Sequence, residues 1–248
     1  MPLSIKDNSA WKTVNGLYVK DGGAWKTVQA GFIKDNGAWK QFYANTVNVQ
    51  IIAVAGGGGS GGNGSYLYRF SGCLPSVTGY GGAGGRGGGS SKTLSLESGS
   101  TLTITVGGAG AAGASRSVQC LGNTSMSATG DTGGTGQSSV VTGTGVNINC
   151  TGGAGGTGGT GGFQYRPSPQ TSYTYSSNGT TGADGSASGG DTNTGITLGS
   201  YGTASTQGAA KITVPIAATV ATTGTMSMVI VGGNKEYTFT SSGTITIA

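Results

Sequence analysis

Two sets of side chains in this sequence have the type and spacing to do chemistry, and both place aromatic rings beside a cation. The first is rich in tyrosine. Tyr66, Tyr68, Arg69 and Phe70 stand in residues 66–78 (YLYRFSGCLPSVT), and Phe163, Tyr165, Arg166, Tyr173 and Tyr175 in residues 163–178 (FQYRPSPQTSYTYSSN). Tyrosine brings a large contact area, a polar tip and few rotatable bonds, as in antibody loops, and an aromatic face suits the C–H faces of sugars. Taken as clusters these residues are candidates for recognition; a single tyrosine among them serves equally well as a cap on a neighbouring element. The second set is a triple repeat. Ile5–Val14 (IKDNSAWKTV) recurs as Val19–Val28 (VKDGGAWKTV) and as Ile33–Phe42 (IKDNGAWKQF), a period of 14 residues. Each unit reads strand, tight Asp-Asn or Gly-Gly turn, strand, which is a hairpin signature. Trp11, Trp25 and Trp39 then occupy equivalent positions, either packed together as the core of a small β-meander or set against a partner as an attachment face.

Other chemistries find little support. The chain has no histidine, which removes Ser-His-Asp and Cys-His nucleophile arrangements and the usual zinc sites. Of eight acidic residues, Asp7, Asp21 and Asp35 fall in the repeat turns, where turn chemistry explains them. Asp131, Asp184 and Asp191 lie in Gly/Thr-rich tracts and give a calcium site only weak support, and no carboxylate pair suggests a glycosidase. The many G-x-G-x-x-G matches lack the strand-then-helix context that nucleotide binding needs. The net charge is +5, of which residues 1–42 carry +3 (six lysines, three aspartates), with no Lys/Arg cluster; nucleic-acid binding is not expected. Cys73, Cys120 and Cys150 have no metal-type spacing, and buried or free thiols are expected ahead of a disulfide. The expectation is a non-enzyme with no catalytic residue, no metal and no cofactor. MPLSIKDNSAW has no apolar core of a signal peptide, so synthesis in the cytoplasm is expected.

The elements that must position these residues are set by glycine, 54 of 248 residues against a usual level of about 7%. Glycine here is periodic. Residues 152–162 read GGAGGTGGTGG, residues 79–89 space Tyr80, Ala83 and Arg86 by glycine pairs, and Ser60 and Asn63 follow the same rule. A repeat of three fits neither an α-helix nor a strand, but it is that of polyproline II. Such helices have no internal hydrogen bonds, so in a folded body they must bond to one another. The fold class expected is mostly β and irregular, with little or no α-helix. N-terminal β-hairpin repeats (1–45) precede a glycine-rich polyproline-II bundle or sandwich (46–248) with exposed loops and short flanking strands. Aliphatic residues look too few for a large oily core. Strands are expected at 47–55, 211–216 and 226–231, with hairpins at 93–106 and 237–247, the latter turning at Ser241-Ser242-Gly243. Recognition must then sit in the loops, because the glycine helices have almost no side chains.

The order of a strand running into Gly56–Gly59, a GxGGxGG tract, Thr103–Gly110 (TITVGGAG) and further glycine tracts with polar loops resembles the glycine-rich domains of bacteriophage tail-fibre proteins. The closing residues 236–248 (EYTFTSSGTITIA) are similar to a phrase found near such domains, and the GGAWKTV units resemble N-terminal repeats of phage tail proteins. The functional analogue is the distal receptor-binding adhesin family of T-even-like phages, where a glycine-helix sandwich displays variable loops that bind host receptors. That resemblance implies a virion location, other tail or fibre subunits as partners, and a host surface glycan or outer-membrane protein as receptor. A monomer and a homotrimer both fit. The Trp-Lys repeats stand where that family has a different fibre-attachment part. Two other readings are a structural virion subunit (baseplate, fibre or decoration) without receptor contact, and an ice-binding glycine bundle, which Tyr80 and Arg86 disfavour by interrupting its small-residue face.

Overall fold

The structure is a computed structural model and describes residues 4–7, 9–14, 16–67, 78–119, 126–163 and 176–247. Among them there is no α-helix. The three repeats form three separate two-stranded hairpins: β1 (Ser4–Asp7) with β2 (Ala10–Thr13), β3 (Tyr18–Asp21) with β4 (Ala24–Thr27), and β5 (Ala30–Asp35) with β6 (Ala38–Ala44). The turns explain the two-residue loops. Gly22 and Gly23 have φ of 57° and 88°, and Asn36 and Gly37 of 50° and 82°, the paired left-handed conformation of a type I′ turn. The expectation of a shared tryptophan core is not met. Trp11, Trp25 and Trp39 are 72%, 70% and 69% exposed, and none of the described strands of one unit pairs with a strand of another.

Beyond the repeats the chain alternates between strands and glycine helices. The first, β7 (Thr46–Val54), runs into glycine helix I (55–63), which ends in β8 (Gly64–Leu67); helix II (79–88) returns into β9 (Gly89–Glu97). Strand β10 (Thr101–Thr105) feeds helix III (107–115), then β11 (Arg116–Gln119) and β12 (Met126–Thr129), and helix IV (130–138) returns into β13 (Ser139–Gly143). Strand β14 (Val146–Cys150) feeds helix V (151–159) and β15 (Thr160–Phe163); β16 (Ser176–Ser177) and helix VI (178–186) lead back to β17 (Ala187–Ser188). The last strands are β18 (Ala209–Pro215), β19 (Val220–Thr223), β20 (Met226–Val231), β21 (Asn234–Phe239) and β22 (Gly243–Ile247).

Two of the sheets pack face to face. One has the order β20-β21-β18-β7-β9 and the other β17-β14-β13-β10-β22-β19. Alternation does this: in β10, Leu102 and Ile104 are buried while Thr101, Thr103 and Thr105 are exposed, and β14 repeats the pattern with Val146, Ile148 and Cys150. Ile51, Ile212, Phe239, Ile245 and Ile247 complete a single cluster, each such side chain contributing about 1.5–3 kcal/mol by burial. An apolar core therefore exists, concentrated in this sandwich, which corrects the expectation from composition. Both expected hairpins are also corrected. Strands β9 and β10 lie in different sheets, as do β21 and β22. Their connecting turns are corners between sheets, the first tied by Gly99 N–H to Ile247 O and Ile247 N–H to Ser100 O, the second by Val106 N–H to Ser242 Oγ and Thr225 N–H to Ser241 Oγ. The C-terminal hairpin is instead β20–β21.

The glycine helices bond to each other every third residue. Ala55, Gly58 and Gly61 of helix I donate to Gly88, Gly85 and Gly82 of helix II, and Gly56, Gly59 and Gly62 donate to Gln137, Gly134 and Asp131 of helix IV. Helix V donates from Gly153, Gly156 and Gly159 to Gly56, Gly59 and Gly62, and helix III from Gly110 and Gly113 to Gly57 and Ser60. With the bonds III–IV, II–V, II–VI, IV–V and V–VI, the six form two layers of three, III-I-II over IV-V-VI. Close approach requires glycine there. A Cβ on Gly158 would stand 1.7 Å from Gly130 O, and one on Gly58 2.0 Å from Ala154 O.

Candidate functional site

The glycine helices carry little chemistry, so the site is built where they end. Each outgoing helix continues a sandwich strand (β7, β10, β14) and each returning one enters another (β9, β13, β17). All three helix-to-helix connections therefore leave the bundle at the end far from the sandwich. Their stems knit together there. Strand β8 pairs in parallel with β11, β12 pairs with β15, and β15 with β16; β8 also lies beside β12 and β15. Polar side chains finish the bonding where the lattice stops. Asn63 Oδ1 accepts from Gly81 N–H at 2.9 Å, Asn178 Oδ1 from Tyr80 N–H at 3.0 Å, and Ser115 Oγ from Asn63 N–H at 3.1 Å. Asparagine and serine suit such ends because they offer an acceptor on a short stem.

Of the sequence-derived recognition residues, Tyr66 lies on β8 opposite Val118, and Phe163 on β15 opposite Met126. The two clusters thus spring from neighbouring strands although nearly a hundred residues separate them in sequence. Tyr68, Arg69, Phe70, Tyr165, Arg166, Tyr173 and Tyr175 lie outside the described residues, as do Cys73 and Cys120. Trp11, Trp25 and Trp39, the candidates for attachment, lie on repeats that lead into the start of β7, the end of that strand away from helix I.

Sequence reasoning left three features of this tip without a place in it. The segment between helices III and IV shares it, a fact legible in hindsight because it too is a non-glycine stretch between glycine tracts. Arg116 at the start of β11 holds Asp131 of helix IV with two bonds, Nε to Oδ1 at 3.1 Å and a terminal nitrogen to Oδ2 at 2.9 Å. That hydrogen bond and the carboxylate charge keep the guanidinium protonated. Tyr80, at the root of the first loop, is 62% exposed. It is the one large apolar side chain exposed on the bundle among the described residues.

The carboxylates considered for calcium are each engaged locally. Asp131 holds Arg116, Asp184 Oδ1 accepts from Arg86 N–H at 2.7 Å, and Asp191 Oδ2 from Thr93 N–H at 2.8 Å. No group of three His, Cys, Asp or Glu converges among the described residues. Cys150 is buried in the sandwich with its sulfur 3.4 Å from Ala53 O, and burial pushes its thiol up to about 12. Such a thiol is a packing residue rather than a nucleophile. The described part of the tip presents one exposed aromatic ring, Tyr80, and the Arg116–Asp131 ion pair on a frame of backbone hydrogen bonds.

A scan against protein-family models gives no match to this chain, and a search of curated proteins likewise gives none.

Proposed function

We propose that this chain is a bacteriophage tail-fibre or fibre-tip protein that recognises a host cell-surface receptor, a glycan or an outer-membrane protein, through its tyrosine-rich loops. The observation that carries this reading is polarity. The three loop-bearing connections share one end of the bundle, and the tryptophan repeats enter at the other. A rigid frame of backbone hydrogen bonds lowers the entropy cost of ordering aromatic loops on a target. Many copies on one virion then turn weak single-site affinity into avidity. Alanine at Tyr66, Tyr68, Tyr165 or Tyr173 is expected to reduce adsorption to host cells while the melting temperature of the body stays at its wild-type value. Unchanged adsorption in all four would remove the loops from the contact surface.

A second reading, a structural virion subunit without receptor contact, is favoured by one observation. The edge strand β20 leaves Met228, Val229, Ile230 and Val231 each about half exposed, and an open apolar edge is a surface for another strand. In that case purified protein assembles with virion components and ignores cells.

A further inference from the structure

Among the described residues, nine of the fifteen large apolar side chains that are exposed lie between residues 5 and 42. Isolated two-stranded hairpins are marginal in water, and these three have no core of their own to add. Each hairpin has two unlike faces, fixed by its register. Lys6 pairs with Trp11, Lys20 with Trp25 and Lys34 with Trp39, so one face carries a lysine beside a tryptophan. Residues alternate across a strand, so the other face carries Ile5, Val19 or Ile33 with Asp7, Asp21 or Asp35. Those aliphatic side chains are 56%, 51% and 58% exposed. The aspartates pair with Lys12, Lys26 and Lys40, which lie on their own face. Lys6, Lys20 and Lys34 have no acidic partner among the described residues.

We propose that the repeats bind further copies of this chain, the lysine–tryptophan face of each hairpin packing on the aliphatic–aspartate face of the equivalent hairpin in a neighbouring copy. Three arguments select that occupant. A small ligand or a sugar would cover the tryptophans and leave Ile5, Val19 and Ile33 in water. Three like units at a constant 14-residue spacing call for a partner with the same spacing, which another copy has by construction. The two faces are also complementary: tryptophan meets an aliphatic side chain, and the unpaired lysine meets an aspartate whose second oxygen can accept it. Because the faces differ, the contact is heterologous. The two faces of a hairpin are opposite, so each contact leaves a free face at either end and the assembly grows beyond two copies, as an open stack or, where the step between copies turns, as a ring. The proposal deepens the attachment reading of the repeats and does not depend on what the loops bind.

The test measures sedimentation mass and tryptophan emission of the full chain over a micromolar concentration series. All three tryptophans lie in the repeats, so emission and its quenching by acrylamide report on this contact alone. A mass of three or more copies is expected, with indoles shielded from the quencher and becoming accessible on dilution. Two triple variants, W11S/W25S/W39S and I5S/V19S/I33S, are each expected to sediment as monomers whose body still melts cooperatively, because each removes one side of the same contact. A monomer with accessible tryptophans, a dimer, or an oligomer that survives either triple substitution would overturn the proposal. So would shielding that appears only on adding a repeating uronate polymer such as polygalacturonate. Cell binding measured on the same samples keeps this outcome separate from the fate of the recognition reading.

Discussion

Replacing Gly58 with alanine puts a methyl group where helix V already stands. Its Cβ would lie 2.0 Å from Ala154 O and 2.4 Å from Ala154 C, both main-chain atoms that cannot swing aside. An ordinary C···O contact is about 3.3 Å, so helices I and V must part locally by about 1.3 Å. Two hydrogen bonds flank the site, Gly153 N–H to Gly56 O at 3.0 Å and Gly156 N–H to Gly59 O at 2.9 Å. That displacement takes both beyond bonding range, between residues that are all buried. Losing each of these buried bonds costs about 1–3 kcal/mol, or roughly 2–6 for the pair. Alanine recovers about 0.4–1 kcal/mol by restricting the unfolded chain. The net destabilisation expected is about 2–5 kcal/mol, a fall of roughly 4–20 °C in Tm for a body of this size. Gly108→Ala is the control, because a Cβ there meets only the Gln137 side chain, at 3.3 Å. It is expected to be neutral or to stabilise by up to about 1 kcal/mol. Thermal melts followed by circular dichroism decide the matter. If Gly58→Ala melts with the wild type, or if both substitutions cost the same, close backbone packing does not hold the bundle together.

Ser9 has φ of 71° where the other repeats place Gly23 and Gly37; Ser9→Gly should relieve about 1 kcal/mol of strain and slow amide exchange in β1 and β2, and unchanged exchange would count against it. Tyr80→Ala should lower adsorption to host cells without moving Tm, because the side chain is exposed at the root of the first loop; unaltered adsorption would place Tyr80 outside the contact surface. The Cys150 thiol is raised from 9.0 to about 12 by burial, so the native state holds its proton while the unfolded state loses it. Its contribution to stability is therefore intact below pH 9.0 and is lost as pH rises toward about 12. The difference in unfolding free energy between wild type and Cys150→Ala should shrink over that window, and a constant difference would contradict it.

The bundle was the legible part of this fold. Glycine pairs around Ala154, Thr157 and Thr160 translate directly into bonds that advance three residues at a time, because a threefold helix repeats its neighbours with its own period. The pairing of strands was not legible. Glu97-Ser98-Gly99-Ser100 has the chemistry of a hairpin turn, and Ser100 N–H does close on Glu97 O at 3.0 Å. A turn signal says that the chain reverses, and is silent on whether it rejoins its own sheet or crosses to another. The tip was half legible. Composition marked Tyr66 and Phe163, but that their strands β8 and β15 lie near each other depends on which helix lies beside which, and that is decided by long-range bonds. The tryptophans could be read as a shared core or as an attachment face, because the 14-residue repeat fixes their equivalence and is silent on whether neighbouring hairpins pair with one another.

The recognition reading is tested most directly by binding labelled purified protein to a panel of bacterial strains, beside a variant whose residues 163–178 are replaced by a Gly/Ser loop. The account predicts binding to some strains and not others, lost in the variant while its melting temperature is retained. Strain-selective binding that survives the replacement, or a folded protein that binds no strain, would contradict it and leave the structural subunit as the reading to pursue.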